Sequence, residues 1–427
     1  MNIMLVTIET RGDTQPFVAL AVRLVQEGHR VTLATEPDFA RLAATYEIDF
    51  VPVGNPVKSL LERSDSAQAI ESGKSLKLVS LVLRQKKDIF EPLARQIWQA
   101  AQGADAIIYK DLAVAGYSAA EMLGLPCAEV AFSPTTRTRA FPPMVFKGVR
   151  DRGPLSNWLL GTLAENILKQ FRWRLSRRAI NQLRQDLGVR PLPFFGPWTL
   201  QRRVGVPVLY PYSPTVLPRP ADWPERIHVP GYWFLDPPAG WQPPDDLLAF
   251  LLAGPSPVAI GFGSMPHQNP RATLQVILQA LERSGQRGIL LSGWAGIGKD
   301  VPLPESVWCA ESLPHSWLFP RMAAIVHHGG AGTTGAALRS GVPSIVTPIT
   351  SDQPFWARRV QALGVGPAPI PYHMLTAEPL ADAIREVVSN TAMHKRAAEI
   401  GQRLQEEDGV GRAIEIFSQY VTRFRHR

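Results

Sequence analysis

The sequence predicts an α/β protein made of two doubly wound, Rossmann-like domains that face each other across a cleft. Three observations predict it: short apolar runs of strand length alternate with helical periodicity, this rhythm occurs twice, and a proline-rich segment separates the two occurrences. Unbroken apolar strands are typical of parallel sheets that are covered on both faces. The 427 residues, of which 45% are hydrophobic and 19% charged, are enough for two such cores.

The first half begins with a buried strand and continues as strand, helix and strand. A proline near its start and Gly28 at its end delimit the first helix. The predicted elements are a strand at 2–8, a helix at 16–27, strands at 31–35 and 106–109, a helix at 115–123 and a strand at 127–132.

A proline-rich segment then interrupts the periodicity, because fourteen prolines between Pro191 and Pro244 exclude a long helix or a central strand. We expect a first domain at 1–215, a linker at 216–244 and a second domain from 245 to 405. The elements predicted in the second domain are strands at 257–262, 288–293, 307–310, 323–328 and 343–348 and helices at 271–283 and 333–339; apolar residues at 410–425 predict a closing helix.

The net charge of +8 is concentrated in one segment, 147–184, which has nine basic and two acidic residues. Localised charge argues against a nucleic-acid partner, and the interleaved Trp, Phe and Leu residues suit an anionic membrane surface. The alternative is a helical pair that packs on its own domain and leaves a solvated basic face. No apolar run is long enough to span a bilayer. The two distant cysteines are typical of a protein in a reducing cytoplasm. We therefore expect a cytoplasmic protein, with a peripheral position on the inner face of the membrane as a second possibility.

A strand, a glycine-rich turn and a helix start follow one another in HHGGAGTTGAALRSGVPSIVTP, from His327 to Pro348. Backbone N–H groups at such a turn, and the helix dipole behind them, bind phosphate. We therefore expect a diphosphate at Gly330, Gly332 and Thr333, with His328 as a further donor. Further candidates near the cleft are Asp352 and Gln353 for sugar hydroxyls and Ser264 for phosphate.

Two carboxylates at predicted strand ends are candidates for a general base. Asp13 lies in the turn ETRGDTQP, which is not a dinucleotide-binding loop, and Asp111 follows the strand at 106–109. Either carboxylate serves as a general base if burial raises its pKa. For Asp13 the alternative to a catalytic role is that it caps the following helix. The sequence has no DxD motif or metal-spaced cluster, so we expect chemistry without a metal ion.

Three segments resemble the sterol glucosyltransferase-like branch of the family-one nucleotide-sugar glycosyltransferases. TRGDTQPFVALAVRLVQEGHRVTLAT is similar to the N-terminal signature of that branch, GYWFLD at 231–236 to its linker signature, and Leu313–Val360 to the donor-binding motif. The resemblance covers nearly the whole chain. It implies the two-domain GT-B fold, with residues 406–427 forming a helix that crosses back to the N-terminal domain.

The resemblance also implies roles for individual residues. Asp13 is the acceptor-activating base, and Ser264, His328, Gly330, Gly332 and Thr333 hold the donor diphosphate. Asp352 and Gln353 contact the sugar, and His315 lines the nucleobase pocket. Arg11, Gly12 and Thr14, which flank Asp13, are expected to contact the nucleotide-sugar. Glu9 departs from the usual signature.

The expected function is inverting, metal-independent transfer of a hexose, glucose from UDP-glucose, to a hydroxyl of a lipophilic acceptor such as a sterol, a terpenoid or a glycolipid. One alternative is a bacterial natural-product or glycolipid glycosyltransferase that uses a dTDP-sugar such as rhamnose. An epimerase of the same fold fits the motifs less well. A membrane-docking or ligand-binding protein without catalysis is a third alternative, against which the set of Asp13, His328, Asp352 and Gln353 argues. The sequence does not indicate an oligomeric state.

Overall fold

The computed structural model describes residues 1–55, 89–146, 151–263, 269–293, 296–298 and 301–426. Within these residues the chain forms two compact units, each with its own parallel sheet. The first unit runs to Leu235 and takes up the chain again from Asp408, and the second runs from Asp236 to Glu407.

The first unit contains a seven-stranded parallel sheet in the order β3-β2-β1-β4-β5-β6-β7. Alternate residues of β1 enter different cores: Met4 and Val6 pack on one face, and Ile3 and Leu5 on the other. The elements are β1 Asn2–Val6, α1 Arg11–Gln26, β2 Arg30–Thr35, α2 Ala40–Thr45, β3 Asp49–Pro52, a helical segment at 89–100, β4 Ala106–Lys110, α3 Val114–Leu123, β5 Cys127–Val130, α4 Pro154–Asp186, α5 Trp198–Val204, β6 Val208–Leu209 and β7 Ile227–His228.

The second unit contains a five-stranded parallel sheet in the order β10-β9-β8-β11-β12. Its central strands β8 and β11 are almost completely buried, as their unbroken apolar sequences predict. The elements are α6 Asp245–Leu252, β8 Val258–Gly261, α7 Pro270–Ser284, β9 Gly288–Leu291, β10 Val307–Ala310, α8 His315–Leu318, β11 Ala324–His327, α9 Ala331–Arg339, β12 Ser344–Val346, α10 Gln353–Ala362, α11 Ala377–Ser389 and α12 Thr391–Gln405. The expected pair of doubly wound sheets is therefore observed.

The first helix starts five residues earlier than the proline at position 16 predicted. Thr10 is the N-cap of α1, and Asp13 lies in the first helical turn rather than in a loop before the helix. The backbone N–H and the hydroxyl of Thr10 donate to Asp13 Oδ2 over 3.1 and 2.8 Å. This capping arrangement fixes the start of the helix, so Pro16 lies inside it, in the second turn.

Part of the proline-rich segment belongs to the first unit rather than to a free connector. The strands β6 and β7 pair in parallel with each other and extend the sheet beyond β5. Strands of only two residues, close to the edge of a sheet, tolerate the neighbouring prolines because they form few ladder hydrogen bonds. The change from one unit to the other falls between Leu235 and Asp236, inside the expected linker at 216–244.

The basic segment forms one helix of 33 residues, α4, and not a helical pair. Two of its arginines are inside the first unit: Arg172 pairs with Asp111, and Arg184 is 3% exposed and donates to Glu121 Oε2 over 2.6 Å. The basic face that the segment presents to solvent therefore lacks these two arginines. Lys147 and Arg150 lie outside the described residues. Among the described residues no helix combines the length and apolarity needed to cross a bilayer.

The last helix, α13 (Gly409–Arg425), packs in the first unit, although it follows the second unit in the chain. Phe417 and Tyr420 join the core cluster that contains Phe17 and Trp233. Asp408 caps this helix by accepting from the Gly411 N–H over 2.8 Å, and it also lies 3.4 Å from the guanidinium of Arg23. A C-terminal helix thus completes the N-terminal core.

Candidate functional sites in the two units

The carboxyl ends of the neighbouring strands β2, β1 and β4 bring charged residues together at one edge of the first sheet. Lys110, at the end of β4, has a side chain that is 8% exposed. Its ammonium pairs with Glu9, lies 3.4 Å from Asp13 Oδ1 and lies 3.5 Å from Asp111 Oδ1. Arg172 of α4 pairs with the other oxygen of Asp111. We call these five residues the Lys110 cluster.

The Lys110 cluster brings together the two predicted bases, Asp13 and Asp111, but in different surroundings. Asp111 is buried between two cations, Lys110 and Arg172, so both of its oxygens are engaged in ion pairs. The side chain of Asp13 is 20% exposed, and its Oδ2 is occupied by Thr10. Asp13 is therefore better placed than Asp111 to meet an incoming hydroxyl.

Glu9 is held in a strained conformation at this edge, with a φ of 110° that non-glycine residues rarely adopt. Its N–H donates to Glu36 Oε1 over 2.7 Å, and the Thr35 hydroxyl donates to Glu36 Oε2 over 2.9 Å. These contacts and the ion pair with Lys110 hold the turn that leads to Asp13. Neither Lys110 nor Glu36 was predicted from the sequence as a site residue. A local signal was present, because Lys110 ends the apolar strand β4 and Glu36 directly follows the apolar strand β2.

Loss of the lysine charge should destabilise the first unit. In a Lys110→Met variant the carboxylates of Glu9, Asp13 and Asp111 remain, with Arg172 as the only cation of the cluster. We expect a loss of about 3 kcal/mol in the free energy of unfolding at pH 7, because removing one partner leaves buried charge uncompensated. Urea denaturation at pH 7 measures it, with Lys110→Arg as the matched control that keeps the charge; a loss as large for Lys110→Arg as for Lys110→Met would contradict this electrostatic account.

Burial raises the pKa of the Glu36 carboxyl to about 8, from an ordinary value of 4.5, against the opposing effect of its hydrogen bonds. The folded chain therefore keeps this proton between about pH 4.5 and 8 while the unfolded chain releases it. The contribution of Glu36 to stability is fully present below pH 4.5 and is lost as the pH rises through 8. A Glu36→Gln variant, which mimics the protonated form, should lose less stability than the parent between pH 5 and 8 in urea titrations. Parallel stability curves for the two proteins would refute this assignment.

In the second unit, the predicted glycine-rich turn joins β11 directly to α9. Gly330 is the N-cap of α9, and Gly329 has a φ of 88°. A Cβ at Gly329 would lie 2.8 Å from Val346 Cγ1, so only glycine fits between β11 and β12. The turn thereby presents the first N–H groups of a nine-residue helix at the carboxyl edge of the sheet, which is the arrangement that binds phosphate.

His328 packs between two glycines from different loops. A Cβ at Gly330 would lie 2.5 Å from His328 Nε2, and a Cβ at Gly263, after β8, would lie 2.9 Å from His328 Cε1. The imidazole is 9% exposed. The two glycines thus fix the position of the ring beside the start of α9. Ser264, the next residue after Gly263, lies outside the described residues.

The neighbouring His327 supports the turn from inside. Its Nδ1 accepts a hydrogen bond from the Gly329 N–H over 3.1 Å, and the side chain is 1% exposed. Desolvation, assisted by the nearby His328 and His315, lowers the pKa of His327 to about 3. His327 is therefore neutral at pH 7 and serves as an acceptor that shapes the turn.

The two residues predicted to contact the sugar, Gln353 and Asp352, form different hydrogen bonds within the second unit. Gln353 is buried, and its Oε1 accepts from the N–H groups of Ile349 and Thr350 over 2.7 and 3.0 Å, so it holds the loop after β12. Asp352 accepts from the Trp356 indole N–H over 2.9 Å, and Ser351 before it has a φ of 59°. These bonds fix the orientation of both side chains at the start of α10.

The other expected contacts are at the starts of two helices. His315 begins α8 and stacks on Phe319, with ring centroids 4.3 Å apart. Gly332 and Thr333 lie in the first turn of α9, and a Cβ at Gly332 would meet nothing within 4 Å. In α1, Arg11 and Gly12 are exposed, but Thr14 is completely buried, so its hydroxyl does not face solvent as expected for a ligand contact. No cluster of three or more His, Cys, Asp or Glu residues suited to a metal ion occurs in the part of the chain that the structure describes.

Two family models match the chain. Residues 3–142 match the glycosyltransferase family 28 N-terminal domain, and residues 295–408 match the C-terminal domain of erythromycin biosynthesis protein CIII-like proteins. The described residues of the first match lie in the first unit, and those of the second match, apart from Asp408, lie in the second unit. Together they cover both the segment with Asp13 and the segment with His328.

Solved structures of glycosyltransferases share the fold. The glycosyltransferase of kitacinnamycin aligns with a TM-score of 0.69 and 22% identity, covering 98% of this chain and 99% of that one. The glycosyltransferase VinC, solved in complex with dTDP, aligns with a TM-score of 0.67 and 20% identity, covering 99% and 100%. Likeness at this identity establishes the GT-B fold and nothing about ligands.

Curated relatives are more similar in sequence. Two sterol 3-beta-glucosyltransferases of Arabidopsis thaliana are 36% and 35% identical over 99% of this chain, which spans 66% and 68% of their lengths. A sterol 3-beta-glucosyltransferase of Candida albicans is 35% identical over 98% of this chain, which spans 28% of that protein. This similarity extends over both units, and the chain therefore belongs to the sterol 3-beta-glucosyltransferase-like branch of the family-one nucleotide-sugar glycosyltransferases.

Proposed function

We propose that this chain transfers glucose from UDP-glucose to a hydroxyl of a sterol or of a similarly lipophilic acceptor, inverting the anomeric configuration without a metal ion. One observation carries the proposal: a chain related along its whole length to sterol 3-beta-glucosyltransferases has a glycine turn at the start of α9, beside His328. This turn is suited to the diphosphate of a nucleotide-sugar.

In the proposed reaction, the second unit binds the donor. The N–H groups at the start of α9 donate hydrogen bonds to the departing diphosphate and stabilise its growing negative charge, and His328 donates a further hydrogen bond. Hydrogen-bond donors fixed by the fold do this without a cation. The alcohol, amide and carboxylate groups around Asp352 and Gln353 are suited to vicinal sugar hydroxyls.

The first unit supplies the base in this proposal. The acceptor hydroxyl gives its proton to Asp13 while its oxygen forms the bond to the anomeric carbon, and the bond from that carbon to the diphosphate oxygen breaks. The Thr10 and Lys110 contacts of Asp13 hold the carboxylate in one orientation. Asp111, which is paired on both oxygens, supports Lys110 and does not itself take the proton.

Product formation with a matrix of donors and acceptors tests the proposal. UDP-glucose, UDP-galactose and a dTDP-deoxysugar are each incubated with a sterol, a terpenoid, a flavonoid and a macrolide, with and without EDTA, and products are identified by mass spectrometry. Glucosylated sterol from UDP-glucose in EDTA, with an inverted anomeric centre by NMR, supports it. Transfer only from the dTDP-sugar would replace the proposal with the natural-product alternative. If no donor and acceptor pair gives a product, the alternative of a ligand-binding protein without catalysis is favoured.

The cellular location is a further part of the proposal. We propose a cytoplasmic enzyme that contacts an anionic membrane peripherally. Two features support it: the cysteines Cys127 and Cys309 form no disulfide, and the segment at 147–184 is basic. Fractionation of cells into cytosol, peripheral membrane extract and integral membrane tests it; recovery from the peripheral extract is the expected result.

A further inference from the structure

The first half of α4 presents an apolar stripe to solvent. Leu155, Leu159, Leu163 and Ile167 follow one another at four-residue intervals and are 69%, 54%, 53% and 46% exposed. Residues at this spacing share one side of a helix and here extend over about 18 Å. Exposed large apolar side chains are thus concentrated on one face, which is uncommon for a protein surface with no partner.

The opposite side of the same helix is the side that packs on the first unit. Gly161, Ala164 and Leu168 line a small cavity together with Phe141 and Met144. A Cβ at Gly161 would lie 3.3 Å from the backbone of Arg137, so the helix is in close contact there. The apolar stripe is therefore additional to the apolar face that α4 uses for its own core.

Two exposed aromatic residues continue the stripe. Phe194 and Phe195 are 65% and 70% exposed, and their carbonyl oxygens accept hydrogen bonds from Trp173 and Gln170 of α4, each over 2.8 Å. The guanidinium of Arg177 lies 4.4 Å from the centroid of the Phe194 ring. These contacts hold both phenyl rings beside α4, just beyond Ile167.

Exposed arginines lie on and next to the first half of α4 and on the loop at 137–139 that packs against it. Arg139, Arg152 and Arg174 are exposed, and Arg137 is exposed with its guanidinium 5.2 Å from the Trp158 ring centroid. Within 151–184, seven basic residues outnumber two acidic ones, Asp151 and Glu165, and Glu165 is paired with Lys169. Outside this range, Asp222 accepts from the Arg139 N–H over 2.8 Å. An apolar stripe with phenyl rings and surrounding arginines matches the interface of an anionic bilayer, where acyl chains meet phosphate headgroups.

We propose that α4 docks the protein on an anionic lipid bilayer through the stripe of Leu155, Leu159, Leu163 and Ile167, extended by Phe194 and Phe195. The helix lies along the interface with the stripe inserted and its flanking arginines among the headgroups. Docking itself does not depend on catalysis. Its purpose, delivery of a lipophilic acceptor to the first unit, rests on the proposed function.

Vesicle flotation with the full chain tests the docking. The vesicles are phosphatidylcholine alone or phosphatidylcholine with 30% phosphatidylserine. We expect the protein to float with the anionic vesicles, and the Leu155→Gln/Leu159→Gln/Leu163→Gln variant to bind at least about tenfold more weakly, in line with the loss of buried apolar area. The matched control is Leu248→Gln/Leu252→Gln, which removes exposed leucines of the second unit and should bind like the parent. An Arg152→Glu/Arg174→Glu variant, in which two of the exposed arginines are reversed in charge, should lose the preference for anionic vesicles.

Three results would overturn the proposal. The first two are no flotation of the parent and equal vesicle binding by the triple variant and the parent. The third is a parent that is a dimer and binds no vesicles, with a triple variant that is a monomer, because the stripe would then be a contact between two copies. Because all three leucines are exposed, thermal unfolding should be unchanged, and it is measured first. Transfer to a detergent-dispersed acceptor separates docking from catalysis. If the triple variant keeps this activity but no longer glycosylates an acceptor held in vesicles, docking delivers the acceptor to the first unit. If the parent is inactive with every acceptor, the proposed function is wrong, but the flotation result still tests the docking.

Discussion

An Asp13→Asn variant should lose at least about 100-fold in kcat, because general-base assistance contributes roughly 10²- to 10⁴-fold. The amide cannot take a proton from the acceptor hydroxyl, but its oxygen still accepts from Thr10, so the start of α1 is kept. Initial rates of product formation at saturating donor measure the effect. The KM for the nucleotide-sugar should change little, since Asp13 belongs to the first unit and the proposed donor groups to the second.

The matched control for Asp13→Asn is Glu378→Gln. Glu378 is also an acidic residue in the first turn of a helix, α11, but it is exposed and paired with Arg283 at the surface. The control removes the same charge from the same kind of position and should keep full activity. An Asp13→Asn variant with at least a tenth of the parent rate and an unchanged melting temperature would show that Asp13 is only a helix cap.

Gly330→Ala should weaken donor binding by about tenfold or more, a cost of about 1.4 kcal/mol. The added methyl group would lie 2.5 Å from His328 Nε2, so either the ring or the start of α9 must move, and both belong to the proposed diphosphate site. Calorimetric titration with UDP measures the change directly, without an acceptor. The same titration with dTDP shows which nucleobase the second unit prefers.

Gly332→Ala separates this packing effect from a general effect of alanine in the helix. Position 332 is two residues further along, in the first turn of α9, and an added Cβ there meets nothing within 4 Å. Its melting temperature should equal or exceed that of the parent, since alanine favours helix over glycine by roughly 0.5–1 kcal/mol. Gly330→Ala should melt lower. Equal melting temperatures and equal UDP affinity for Gly330→Ala and the parent would contradict the role given to the His328 packing.

Local patterns predict nine of the twelve strands in the part of the chain that the structure describes, but they miss several helices, among them α11 and α12. The strands at 106–110 and 307–310 and the helices at 114–123 and 409–425 lie within a residue or two of the predictions, because apolar runs and capping glycines are local signals. The start of α1 was wrong because a proline appeared to begin the helix, whereas the bond between Thr10 and Asp13 begins it earlier. The segment 147–184 was read as a possible helical pair, and no local signal showed that it continues as one helix.

The sequence by itself determined the class of the molecule: two parallel-sheet units, a glycine turn opening a helix after β11, and a carboxylate after β1, since each depends on residues close together in the chain. Only the tertiary structure decided the surroundings of these groups. Lys110 reaches Glu9 and Asp13 because β1 and β4 are neighbours in the sheet, about 100 residues apart in the chain. Likewise, packing decided that Arg172 turns inward to Asp111 while Leu155 and Leu159 of the same helix face solvent. Helical periodicity gives the relative angles of such side chains, but which side meets the core depends on contacts between distant segments.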